Sequence, residues 1–139
     1  MKNILFLFAV LSLNIFTFNS SAQAEDHEHS IEVCSAIDQT VCAHLGYKWG
    51  PLNTTSEGQF IVHAMTPNNS ELSNLAVELW MEMGDHGHGS SPVTLTKVRP
   101  NIYKVTEAYF VMEGEWLVKI NFDLNGVNHT LEIPVQVVE

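Results

Sequence analysis

The stretch "EWLVKINFDLNGVNHTLEIPVQVV", residues 115–138, decides the fold of this chain. Apolar and polar residues alternate in both of its halves, which is the period of a strand with one buried face. Asn125-Gly126 separates the halves, and an Asn-Gly pair supplies the positive φ angles of a two-residue hairpin turn. Pro134 cannot donate to a ladder, so we expect the closing strand to lie at a sheet edge or to carry a bulge. The stretch therefore predicts a long β-hairpin.

Strand patterns continue upstream of this hairpin, and no segment shows a convincing helical period. Four further runs carry them: "QFIVHAM" (59–65), "LSNLAVELWMEM" (72–83), "PVTLTKV" (92–98) and "IYKVTEAYFVM" (102–112). About seven short strands with turn signals between them indicate a two-sheet sandwich. We therefore expect an all-β domain over residues 57–139, an immunoglobulin-like β-sandwich.

The beginning of the chain reads as a signal peptide, residues 1–24. Lys2 precedes an apolar run, and "SAQA" (21–24) offers small residues for cleavage. We expect export to the periplasm or secretion, with no membrane insertion after cleavage; an uncleaved membrane anchor is the alternative. Residues 25–56 follow as an acidic arm and an irregular lead-in. Cys34 and Cys42 in this lead-in are expected to form a disulfide, and the alternative is a metal site that also uses His44.

The formal net charge of −10 excludes the basic footprint that nucleic acids and anionic membranes require. The chain also lacks G-x-S-x-G, P-loop, G-x-G-x-x-G and H-E-x-x-H motifs. A small sandwich leaves little room for a deep substrate pocket. We therefore expect a non-enzymatic protein.

Soft sulfur ligands and imidazoles are concentrated in "LWMEMGDHGHGSSPV", residues 79–93. Met81 and Met83 are two apart and share a strand face, and His86 and His88 follow in a loop that its glycines allow to bend. Thioether sulfur suits Cu(I), while imidazole suits copper, zinc and nickel. The stretch predicts a copper site that holds Cu(I) and also permits Cu(II), with Asp85 as a ligand or as an acceptor for an imidazole N–H. The alternatives are a core role for Met81 and plain surface histidines.

Other residues extend this prediction. Met112 joins the site if the end of its strand reaches the same rim. His63 and Met65 share a strand face and form a second candidate metal pair. If cleavage follows Ala24, His27 is the third residue, and the free amine, two backbone amides and its imidazole make a square-planar site for Cu(II) or Ni(II). His129 lies among apolar residues and is expected to be structural.

The run from residue 70 to 139 resembles the YtkA-like/FixH-like group of small exported or membrane-tethered β-sandwich domains. Two elements carry the resemblance: Met83-Gly84 with the two histidines that follow, and "FVMEGEW" (110–116). This chain departs from the pattern by the insertion of Asp85 and by "PNIY" in place of the usual glycine before Tyr103. The resemblance implies an immunoglobulin-like fold, an extracytoplasmic location and a loose association with copper handling and cytochrome oxidase assembly.

Together these observations predict a periplasmic copper-binding protein that sequesters copper or delivers it to an oxidase or an efflux system. Its expected partner is a cytochrome oxidase assembly protein or a copper efflux protein. The alternative is a non-catalytic β-sandwich interaction module of a membrane-associated complex, with no metal. A third interpretation, a zinc or nickel binder, uses the histidines without the methionines.

Overall fold

The computed structural model describes residues 28–29, 31–47 and 50–139, so the predicted signal peptide and His27 lie outside the described residues. Within these ranges the chain forms strands and one short 3-10 turn, Pro67–Asn69. The strands are β1 (Glu28–His29), β2 (Val33–Cys34), β3 (Cys42–Tyr47), β4 (Gly58–Met65), β5 (Ser73–Met83), β6 (His86–Gly89), β7 (Thr94–Arg99), β8 (Ile102–Ala108), β9 (Gly114–Leu124) and β10 (Val127–Val137). No helix in the described part of the chain is long and apolar enough to cross a membrane.

The strands form two antiparallel sheets. One sheet has the order β1-β3-β4-β8-β7, with β2 also paired to β3, and the other has the order β10-β9-β5-β6. Each sheet turns its apolar face inward, because alternate residues of a strand point to opposite faces. The expected all-β, immunoglobulin-like sandwich is confirmed. Residues 57–139 contain seven strands, β4 to β10, as expected, and the lead-in adds β1, β2 and β3.

The core lies between the sheets and is made by the alternating residues that the sequence patterns mark. Strand β9 alternates buried and partly exposed positions from Trp116 to Leu124, and β4 does the same from Gly58 to Met65. The largest fully buried side chains come from both sheets: Trp116, Phe60, Phe122, Leu45, Leu79 and Ile120. Burying apolar surface of this size is the main stabilising contribution to the fold.

The hairpin that the Asn-Gly pair predicts is present. Asn125 and Gly126 have φ angles of 52° and 79°, as a type I′ turn requires at both central positions. Leu124 pairs with Val127 directly across the turn. The strand that contains Pro134 is β10, an edge of its sheet, as the missing donor of proline predicts.

The lead-in is tied by the predicted disulfide, Cys34–Cys42, with an S–S distance of 2.03 Å. The thiol-based metal site considered as the alternative is therefore not formed. The lead-in is also more regular than expected, because it contains β3, a six-residue strand paired with β4. Ala43 and Leu45 are fully buried on the inner face of β3, so tertiary burial orders a segment that has little strand signal of its own.

His129 on β10 contacts this lead-in through a side-chain hydrogen bond. Its side chain is 3% exposed, its Nδ1 lies 2.9 Å from Ser35 Oγ, and its ring stacks on Phe122 at a centroid distance of 5.6 Å. A buried imidazole with a polar partner is a structural group. The expectation that His129 is structural is confirmed.

Candidate metal site

The methionine- and histidine-rich stretch forms a tight hairpin between β5 and β6. Gly84 and Asp85 make its two-residue turn, and Gly84 has a φ angle of +65°. That positive angle is the one a type II′ turn needs at its first central position, where glycine is favoured. The sequence predicted a freely bending loop here, but the glycine-rich segment His86–Gly89 is a strand. His86 and His88 therefore have fixed cross-strand neighbours on β5.

The register of the hairpin pairs Met81 with His88 and Met83 with His86. Directly opposed residues of antiparallel strands project to the same face, with Cβ atoms about 4.5–5.5 Å apart. Residues two apart on one strand also share a face. All four side chains therefore project from one face of the hairpin, as two thioethers opposite two imidazoles. The rings of His86 and His88 have centroids 5.4 Å apart.

The opposite face of the hairpin explains its glycines. Trp80 lies across Gly87, and a Cβ at Gly87 would stand only 2.4 Å from the indole ring. A Cβ at Gly89 would meet nothing closer than 3.7 Å. Glycine at position 87 therefore lets the indole of Trp80 pack on β6. This contact holds β6 against β5 on one face of the hairpin, and the methionine and histidine side chains project from the opposite face.

Met81 on β5 contacts the neighbouring strand β9 of the same sheet. A Cβ at Gly114 would stand 2.8 Å from Met81 Cε, so the glycine of "FVMEGEW" makes room for the end of this side chain. Trp116 Nε1 donates a hydrogen bond of 2.9 Å to the Met112 carbonyl, which fixes the turn before β9. Met81, the cross-strand partner of His88, therefore links the histidines of the first family-like element to the glycine of the second.

The end of β6 is also held in place. Ser90 N donates to the Leu79 carbonyl at 3.1 Å, and the Ser90 hydroxyl donates to the Tyr109 carbonyl. The tip of the hairpin remains accessible: Met83 is 37% exposed and the His86 side chain is 61% exposed. Met81 is partly buried against the core. The hairpin thus has an anchored base and an open tip.

Asp85 orients one of the histidines. Its Oδ1 lies 2.9 Å from His86 Nδ1, and this hydrogen bond lowers the pKa of the Asp85 carboxyl below its ordinary value. A carboxylate on one ring nitrogen fixes the tautomer and directs the other nitrogen, Nε2, towards a metal. Asp85 therefore lies beside an imidazole nitrogen, which is one of the two roles that the sequence predicted for it.

The four side chains of the hairpin offer two soft and two borderline donors. The one described group of three His, Cys, Asp or Glu residues whose ligand atoms lie within 4.8 Å of one another is Glu32, Cys34 and Cys42. Both of its sulfurs are in the disulfide, so it offers no thiolate. The hairpin instead offers the thioether sulfurs of Met81 and Met83, and thioether sulfur is the donor that favours Cu(I).

The other predicted ligands in the described part of the chain lie outside the hairpin. Met112 is in the turn two residues before Gly114, at the end of the sandwich where Met81 lies. His63 and Met65 are on β4, in the other sheet, and their cross-strand partners are His44 and Cys42. The prediction that His63 and Met65 share a strand face is therefore confirmed. The pairing of His63 with His44 was not predicted, because the contact between β3 and β4 is non-local and leaves no local signal in the sequence.

These features define the class of protein: a small β-sandwich domain with a disulfide-tied N-terminal segment and an open Met/His hairpin at one rim. The model of the YtkA-like family matches residues 50–121, which is more than half of the chain, and the protein belongs to the YtkA-like family. The matched residues include the hairpin, Met112 and β4, and they leave out His44, the cysteines and β10. No similar protein with a curated description and no similar solved structure was found.

The packing of Trp80 on Gly87 makes a direct prediction about the hairpin. Gly87→Ala forces the indole away and is expected to lower the free energy of unfolding by about 1–3 kcal/mol, the usual cost of overpacking. Gly89→Ala is the matched control, since its added methyl meets only ordinary contacts; its effect should stay within about 0.5 kcal/mol. Urea unfolding followed by circular dichroism measures both. Equal losses in the two variants would show that Trp80 does not hold β6.

Proposed function

We propose that this protein binds copper outside the cytoplasm through the β5–β6 hairpin, with Met81, Met83, His86 and His88 as ligands. The observation that supports the proposal is the hairpin register, which pairs each methionine with a histidine. Closeness in sequence alone would not bring these groups together, because the turn at Gly84 and Asp85 must first fold β6 back onto β5. The register gives a four-donor set on one face.

Copper fits this donor set better than zinc or nickel does. Thioether sulfur is a soft ligand that selects Cu(I), whereas zinc and nickel are satisfied by the imidazoles alone. Half of the proposed set is thioether, so the methionines add affinity for Cu(I) in particular. The imidazoles also suit Cu(II), which lets the site accept either oxidation state.

The openness of the site favours transfer over long-term storage. The tip of the hairpin is exposed at Met83 and His86, so an incoming ligand reaches the metal without unfolding the sandwich. Ligand exchange of this kind is what sequestration followed by delivery requires. We propose a non-enzymatic role, with a cytochrome oxidase assembly protein or a copper efflux protein as the recipient.

The proposed location is the periplasm. A disulfide persists in an oxidising compartment and is rare in the cytosol, so Cys34–Cys42 fits a domain outside the cytoplasm. Cleavage after Ala24 would create the second proposed copper site at His27. Mass spectrometry of the exported protein gives its first residue, and any terminus other than Glu25 removes that second site.

An interaction module remains the second candidate because the six-stranded sheet ends in an open strand. Strand β7 lies at the end of that sheet, and Val98 on it is 54% exposed. An exposed edge strand is able to recruit another chain by β-addition. Protein purified from its native compartment without stoichiometric copper would favour this candidate over the first.

Removal of the two hairpin imidazoles tests the copper proposal. We expect His86→Ala/His88→Ala to weaken Cu(I) binding on the order of 10–100-fold, measured by anaerobic competition with a chelator of known affinity. His44→Ala/His63→Ala is the matched control, because it also removes two neighbouring imidazoles, but from the other sheet. The control should keep the affinity of the parent. Unchanged Cu(I) affinity in the hairpin variant would exclude the hairpin as the site.

Replacement of the two thioethers separates copper from zinc. Met81→Leu/Met83→Leu nearly conserves volume, so the hairpin keeps its packing but loses both sulfurs. Cu(I) affinity should fall at least about tenfold while Zn(II) affinity stays within about twofold, because thioethers contribute little to zinc. Parallel titrations with the two metals measure the difference. Equal losses for Cu(I) and Zn(II) would contradict thioether ligation.

A further inference from the structure

A second cluster of chemical interest lies on the outer face of the six-stranded sheet, away from the hairpin. His44 on β3 and His63 on β4 are directly paired across the strands. Their rings are 4.9 Å apart between centroids and nearly perpendicular, with an interplanar angle of 76°. Both residues are half-buried, between inner-face neighbours that form the core. The pair therefore has a fixed position on the rigid part of the sandwich.

We propose that His44 and His63 together bind one divalent transition-metal ion, of the class of Zn(II) and Cu(II). Two imidazoles that share a tetrahedral ion at about 2.0–2.1 Å per nitrogen have ring centres about 5 Å apart. The observed separation of 4.9 Å matches this spacing. Imidazole is the ligand common to zinc, copper and nickel sites, so the pair selects a borderline divalent ion where the hairpin selects a soft one.

The surroundings leave room for the remaining ligands of such an ion. A groove of about 580 Å³ opens beside His63, and Met65 also lines it, so water has access to complete the coordination. Among the described residues, no His, Cys, Asp or Glu forms a three-residue ligand group with the two imidazoles. Water is therefore the expected source of the remaining ligands.

This site is independent of the proposed hairpin function. The two imidazole pairs lie in different sheets, and His44 lies outside the residues that match the family model. A chain with both sites would bind a divalent ion on the outer face of the six-stranded sheet and Cu(I) at the β5–β6 hairpin. The disulfide, which joins β2 to β3 beside His44, holds the strand that carries one of the two ligands.

The histidine inventory of the chain allows a clean test. The chain has seven histidines, and His27→Gln, His29→Gln, His86→Gln and His88→Gln together leave the pair and the buried His129. This four-substitution variant is titrated with Zn(II) while its imidazole resonances are followed by NMR. The signals of His44 and His63 should shift together at one equivalent of zinc. The signal of His129 should stay in place, which also shows that the fold is intact.

Removal of one ligand at a time completes the test. In the same background, His44→Gln and His63→Gln should each lower Zn(II) affinity on the order of tenfold or more, because chelation needs both rings. Cu(I) affinity measured in the otherwise wild-type chain should not change with either substitution. Zinc that shifts neither ring, or a single variant with undiminished Zn(II) affinity, would overturn the proposal whatever the hairpin does.

Discussion

The register of the β5–β6 hairpin is the constraint on which the whole candidate site depends. Side chains on a strand alternate between faces, so a slip of one residue would turn both histidines to the face that Trp80 occupies. The Gly84-Asp85 turn fixes the start of the pairing, and the contact between Trp80 and Gly87 opposes a slip. The same two features leave Met81, Met83, His86 and His88 on one face.

The sandwich supports this hairpin through the neighbouring strand β9 and the turn that precedes it. Met81 fits over Gly114, where a larger residue would collide with it, and Ser90 ties the end of β6 to the segment before β9. Trp116, fully buried, holds that segment through the Met112 carbonyl. The buried core thus positions the base of the site, while the tip stays open to solvent and to ligand exchange.

Much of this fold could be predicted from the sequence, since alternation in β5, β9 and β10 and the Asn-Gly turn are strong local signals. The disulfide also followed from two nearby cysteines. Strand β6 could not be predicted, because two of its four residues are glycines of low β-propensity and their purpose, contact with Trp80, is tertiary. His44 was missed as a partner of His63 for the same reason: the pairing of β3 with β4 is non-local.

The copper proposal requires that thioethers and imidazoles of one hairpin bind the same copper ion. X-ray absorption spectroscopy of protein loaded with one equivalent of Cu(I) tests it most directly, because sulfur and nitrogen neighbours scatter differently. Both sulfur and imidazole nitrogen are expected among the atoms bound to copper, and the sulfur signal should be lost in Met81→Leu/Met83→Leu. A first shell of nitrogen and oxygen alone in the wild-type protein would contradict it.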